Sequence, residues 1–210
     1  MRQTGEIQHL RSALTDAGVA GAGDFGRFVN DTSRFGPSAF DARAAMPVLV
    51  RMLPSLADPH AVEAVAGHLA AAWSGPAVPA LITAFRRWAA QYPLGTGWQL
   101  GNAIAAAAGN SHAAEMLALA VDARFGAARQ MIVYSLWRFR RQPGICAALP
   151  SLCHDPDVAL HAMSALRRAV GNEQALPTLL HIAGSHADPR VRKHAAQAAR
   201  RAQKALQAHA

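Results

Sequence analysis

Apolar and small residues in this chain recur at helical spacing rather than in alternation. In Leu152–Gly171 (LCHDPDVALHAMSALRRAVG), Val158, Ala162, Ala165, Leu166 and Ala169 fall three or four positions apart. That spacing puts them on one face of an α-helix and leaves the polar positions on the other. Upstream of several such stretches lies a second kind of apolar segment, one that carries a proline: AMPVLVRML (45–53), AVPALITAF (77–85), ALPSLC (148–153) and ALPTLLHIA (175–183). An Asp stands between the two kinds, three times followed by Pro: Asp58-Pro59, Asp155-Pro156 and Asp188-Pro189. Asp accepts hydrogen bonds from the free N–H groups that open a helix. Pro at the first helical position gives up a donor the helix does not need and has its φ preset. The phrase therefore predicts the end of one helix and the start of the next.

The phrase is periodic. Asp122, Asp155 and Asp188 are spaced by 33 and 33, and Asp58 precedes Asp122 by 64, two periods of 32. Two short helices cannot bury their apolar faces alone, but stacked pairs share a continuous core. Five pairs are predicted: 42–56 with 59–73, 75–91 with 97–108, 111–121 with 123–139, 143–154 with 156–170, and 173–184 with 188–207. The second pair departs from the pattern, with no Asp-Pro and a longer turn, QYPLGTG (91–97). The first 41 residues differ again: a helix at about 4–17, a Gly-rich turn GVAGAGD (18–24), then FGRFVNDTSRFGPSAF (25–40), read as a short helix and a loop. The expected organisation is an N-terminal helical cap and loop over 1–41 and one continuous array over 42–210. Asp31, an acid among aromatic residues in that loop, reads as a turn or helix-cap residue.

The pattern ALPxL…D-P-x-V-x-x-x-A…AL resembles HEAT repeats in their short bacterial form, over about residues 42–205. The resemblance implies an all-α fold, a right-handed α-solenoid of about five helix pairs. It implies that the second helices line a concave face, which in such arrays is usually the binding face. Two further segments, GWQLGN (97–102) and FGAARQM (125–131), resemble stretches of bacterial HEAT-repeat proteins of uncharacterised activity. The resemblance says little about function, because scaffolds, lyase subunits and DNA glycosylases all carry such repeats.

Composition narrows the field. With 51% apolar and 16% charged residues the chain is not disordered. Its longest apolar runs, such as Ala103–Ala108, are far too short to cross a bilayer, and Met1–Leu14 lacks an apolar signal segment. The expectation is a cytoplasmic protein without a membrane partner. Cys146 and Cys153, seven apart on one expected helix, would lie about 10 Å apart along its axis. That is beyond disulfide reach, so both should be free thiols. The net charge of +8 is uneven. Residues 1–123 hold eight Arg against nine acids, whereas 124–210 hold eleven Arg and two Lys against four acids, a balance of 13 − 4 = +9.

The second helices align on the apolar pairs Ala103-Ile104, Ser135-Leu136, Ala165-Leu166 and Ala198-Ala199. The residue before each pair is Asn102, Tyr134, Ser164 and Gln197; four earlier come Trp98, Gln130, Leu160 and Lys193; four later come Ala106, Arg138, Arg168 and Arg201. Positions i and i+4 share a helix face, so these residues form one ribbon, aromatic and amide at one end and basic at the other. Arg129, Arg167, Arg192 and Arg200 flank it. The binding residues expected on the concave face are Trp98, Asn102, Arg129, Gln130, Tyr134, Arg138, Ser164, Arg168, Lys193, Gln197 and Arg201. A structural reading stands beside this one. Arg on exposed helix positions is ordinary, Trp98 and Asn102 could pack at the long turn, and Arg129 could pair with Asp122 or Asp155. Trp73, Trp88 and Trp137 read as core or inter-helix packing.

Catalytic chemistry finds little support. The ten His are scattered and no metalloprotease helix, phosphate loop or nucleophile elbow occurs. His154 and His161 with Asp155 and Asp157 could be drawn as a metal site, but Asp155 is already explained as a cap. No catalytic residue, metal or cofactor is therefore expected. The leading expectation is a non-catalytic module that recognises a partner protein, one that could be acidic, through the concave face. The alternative is binding of a nucleic-acid phosphate backbone, suggested by the C-terminal charge and by an architecture like that of the HEAT-like alkylpurine DNA glycosylases. No residue here matches their catalytic acid. An enzyme subunit, such as a chromophore lyase component, is the third reading and rests on the repeat type alone.

Overall fold

The computed structural model describes residues 5–26 and 39–208. Among these residues the chain forms ten α-helices joined by 3₁₀ turns and loops, with no strand. It divides into two compact units, one up to Gly109 and the other from Asn110. The all-helical pairing within them is consistent with an α-solenoid. Asp31 and most of the expected loop at 25–40 lie outside the described residues.

The first unit holds α1 (Gly5–Asp16), α2 (Ala42–Met52), α3 (Pro59–Leu69), α4 (Val78–Trp88) and α5 (Thr96–Ala107). α2 touches α3, α4 touches α5, and α3 packs on α5, so second helix meets second helix. Leu10, Leu14, Leu49, Leu69, Leu81, Phe85, Leu100 and Ile104 are all buried between them. Asp58 caps α3 as its sequence predicts, its carboxylate accepting from His60 N–H at 3.0 Å with Pro59 at the first position. Glu6 of α1 binds that same turn, accepting from the N–H groups of Ala57 and Asp58 at 2.9 Å each. The pair without Asp-Pro uses another device: Glu63 of α3 accepts from the Thr96 hydroxyl at 2.8 Å, where α5 begins. Past α1, Gly21 has φ 69° and a side chain there would run into the Ala39 carbonyl, so only glycine fits.

The second unit holds α6 (Ala113–Val121), α7 (Gln130–Ser135), α8 (Ile145–Leu152), α9 (Ala159–Ser185) and α10 (Pro189–Gln207). α6 packs on α7 and α8, and α9 packs on α7, α8 and α10. Two expectations change here. The helix predicted over 123–139 is a 3₁₀ segment (Ala123–Arg129), the short α7, and a second 3₁₀ segment (Leu136–Phe139). Gly126, at φ 47° and ψ −135°, interrupts the first segment. The helices predicted at 156–170 and 173–184 are the two halves of α9, broken at Gly171 with φ 84° and ψ 172°. Its first half starts at Ala159 rather than Pro156, because the Asp155 backbone carbonyl and carboxylate first close a turn onto the N–H groups of Asp157, Val158 and Ala159.

The Asp turns of this unit carry the expected caps. Asp122 accepts from Arg124 N–H at 3.1 Å and Asp188 from Arg190 N–H at 2.7 Å. They also bond across repeats. His186 accepts from Asp188 N–H at Nδ1 (3.0 Å), so the ring proton sits on Nε2, which donates to the His154 carbonyl at 3.2 Å. Cys146 is half-buried and Cys153 buried, and both are free thiols. Burial pushes the Cys153 thiol up to about 12, so it is no nucleophile at neutral pH.

His68 packs against Phe25 and Phe40, with ring centroids 5.1 and 4.5 Å away. Burial pushes it down to about 4. The unfolded chain takes up this proton near pH 6.5 and the folded chain only near pH 4, so the unfolded state holds more protons across that window. Stability should therefore fall as pH drops from 6.5 to 4, by roughly 3 kcal/mol from this group. Urea midpoints measured against pH should show that slope, and His68→Leu should flatten it. An unchanged slope in the variant would exclude His68 as its source.

Candidate functional site

Of the four apolar pairs that set the alignment, Ala103, Ile104, Ser135, Leu136, Ala165, Leu166 and Ala199 are buried and Ala198 is half-buried. The residue before each pair is thereby turned toward solvent. Asn102 and Tyr134 are half-buried, and Ser164 and Gln197 are exposed. Trp98 and Asn102, both half-buried, belong to the first unit. The other nine candidates belong to the second.

Three of the nine come together at one place. Tyr134 of α7 and Ser164 and Arg168 of α9 line a cleft of about 340 Å³, along with Arg167 and Asn172. The Arg168 guanidinium lies 5.0 Å from the Tyr134 ring centroid and 5.3 Å from that of Trp137. The guanidinium is thus held over two rings while the residue remains exposed. Arg167 Nε donates to Asn172 Oδ1 at 3.2 Å. His161 stands edge-on to Tyr134 with centroids 6.4 Å apart, and burial lowers its pKa, so it adds no charge at neutral pH.

The remaining candidates are arranged differently. Lys193, Gln197 and Arg201 lie exposed along one face of α10 at i, i+4 and i+8 and do not line the cleft. The Arg138 guanidinium lies 5.3 Å from the Phe139 ring centroid. Gln130 Nε2 donates to the Asp157 carbonyl at 3.0 Å, so it ties one repeat turn to the next. Arg129 is the correction. It is 1% exposed and cannot meet a ligand. Its Nε donates to Gly126 O (3.0 Å), Nη1 to Ala120 O (3.0 Å) and Nη2 to Asp155 Oδ2 (2.7 Å). The reason is local: with Gly126 at φ 47°, the segment before α7 turns Arg129 inward, where a regular helix would have left it beside the ribbon.

Sequence reasoning placed Trp137 in the packing and did not single out Asn172. Both enter the site through irregular backbone. Trp137 lies in the 3₁₀ segment Leu136–Phe139, and Asn172 follows the break at Gly171. Among the described residues no group of three His, Cys, Asp or Glu could hold a metal ion. Within the suggested metal group, Asp155 is taken by Arg129, and His154 packs against His181 with centroids 5.6 Å apart. No described helix is long and apolar enough to cross a membrane.

Residues 113–200 match the family model for HEAT repeats. This stretch covers most of the second unit and all five residues of the cleft. No curated protein and no solved structure matches the chain significantly.

The placement of Arg129 carries a prediction. Removing one member of a buried, hydrogen-bonded ion pair costs about 3 kcal/mol or more. Arg129→Met should lower the unfolding free energy of the second unit, read from its urea transition, by that amount, and Arg129→Lys should restore it only in part. Arg168→Gln, at an exposed site, should change it by less than about 0.5 kcal/mol. Equal effects of Arg129→Met and Arg168→Gln would overturn this division.

Proposed function

We propose that this chain is a non-catalytic binding module that holds a partner protein on the face carried by α7, α9 and α10. The observation that carries this reading is Arg168, stacked against Tyr134 and Trp137 at the edge of the cleft. Arg and large aromatic residues are the side chains that dominate binding energy at protein interfaces. An Arg already held by two rings loses little side-chain freedom when it binds. HEAT repeats commonly serve as protein-interaction scaffolds, which agrees with this use of the unit. The balance of +9 over residues 124–210 favours an acidic partner. In this reading the chain works in the cytoplasm.

The test is a photo-crosslinking amino acid at exposed Ser164, with a second one at Ala147 on α8 as the off-face control. In cells of the source organism, the Ser164 position should yield one discrete protein adduct. Arg168→Glu should abolish it, and the Ala147 position should not give it. A nuclease-sensitive smear would assign the face to nucleic acid, and no adduct at all would refute the reading outright.

A further inference from the structure

The lining of the cleft is chemically one-sided. It comprises two guanidinium groups, a hydroxyl, a carboxamide and a phenol ring, with no carboxylate. Arg167 donates from Nε, so the atom it meets on Asn172 is the carbonyl oxygen, and the Asn172 amide NH2 is left as a donor. Among the described residues, nothing accepts a hydrogen bond from the terminal nitrogens of Arg167 or from Arg168. The Arg168 guanidinium carbon lies over the Tyr134 and Trp137 rings, 5.0 and 5.3 Å from their centroids, and a guanidinium carries five N–H donors and no acceptor. The cleft thus gathers donors and positive charge with no carboxylate in its lining to neutralise them.

We infer that this cleft is a recognition pocket for a phosphate monoester carried by the partner protein. The inference rests on the protein-binding reading above and specifies the chemistry of that site. A carboxylate brings one charge and two oxygens, and one guanidinium satisfies it. A phosphodiester also brings one charge. A phosphate monoester brings a charge near −2 and three acceptor oxygens, which match two guanidiniums supported by a hydroxyl and an amide. The outer surface of α9 adds a second requirement. Leu160 is 40% exposed and lies four residues before Ser164 and eight before Arg168, about 12 Å along the helix from the latter. A segment that seats its phosphate in the cleft would cover Leu160 with an apolar side chain about four residues away, if it binds extended.

The experiment uses the full chain and the Trp137 indole N–H signal in NMR, assigned by its loss in Trp137→Phe. Four probes are titrated: inorganic phosphate, N-acetyl-phosphoserine amide, N-acetyl-aspartate amide and dimethyl phosphate. Inorganic phosphate and the phosphoserine probe should shift the signal saturably, at least tenfold more tightly than the carboxylate and the diester. Arg168→Gln should weaken phosphoserine binding at least tenfold, Arg167→Gln should do so as well, and Lys204→Gln should match the wild type. Equal response to carboxylate and phosphate, or unchanged affinity in both Arg variants, would overturn the proposal. The two readings fail separately. Absent phosphate binding with an intact Ser164 adduct sinks the phosphate pocket alone. Saturable phosphate binding without any protein adduct sinks the protein-borne source of the phosphate and the module reading with it.

Discussion

The turn at Asp155 is the point on which the second unit depends. A helix end leaves carbonyls without partners and a helix start leaves N–H groups without partners, and a repeat turn has both within a few residues. Here those groups do two jobs. The Asp155 carboxylate closes its own turn through Oδ1 and receives Arg129 of the preceding repeat on Oδ2. The His154 carbonyl receives His186 of the following repeat, and the Asp157 carbonyl receives Gln130. The same polar atoms that end one helix and start another therefore fasten three successive pairs to one another. In the first unit Glu6 does comparable work on the Asp58 turn.

Once the turns are fastened, the helix faces have little freedom. α7 and the 3₁₀ segment that follows it are held beside α9, so Tyr134 and Trp137 meet Arg168. Two arginines in one unit thereby take different places. Arg129 is enclosed by three acceptors and serves cohesion, while Arg168 lies over two aromatic rings and remains exposed. Nothing in the residue type distinguishes them; the backbone that precedes each one does.

That contrast marks how far the sequence could be read. Asp58, Asp122 and Asp188 were legible as helix-starting turns, because a cap needs only local chemistry; Asp155 instead closes a turn ahead of α9, which starts at Ala159. The apolar pairs were legible as the buried register, and from them Tyr134, Ser164 and Arg168 could be picked as neighbours that now line one cleft. This projection assumes about 100° per residue, and it fails where the helix is not regular. The 3₁₀ segments on either side of α7 swing Arg129 inward and Trp137 toward Arg168. The left-handed Gly171 brings Asn172 back to Arg167. Gly126 and Gly171 were visible in the sequence, but the conformations they adopt depend on packing that no local pattern encodes.

The neutral joint at His186 has a consequence for how this molecule meets its ionic surroundings. One fastening of the Asp155 turn is an uncharged imidazole bonded at both nitrogens, and another is an ion pair whose cation is 1% exposed. Dissolved ions screen exposed charges over about 8 Å at physiological strength and reach buried or neutral contacts far less. Arg138, Arg168, Lys193 and Arg201 are exposed to that screening, while the joints beneath them are sheltered. Ionic strength thus acts on the surface of the second unit separately from its cohesion: salt can weaken contacts made through the exposed arginines without loosening the stack beneath them.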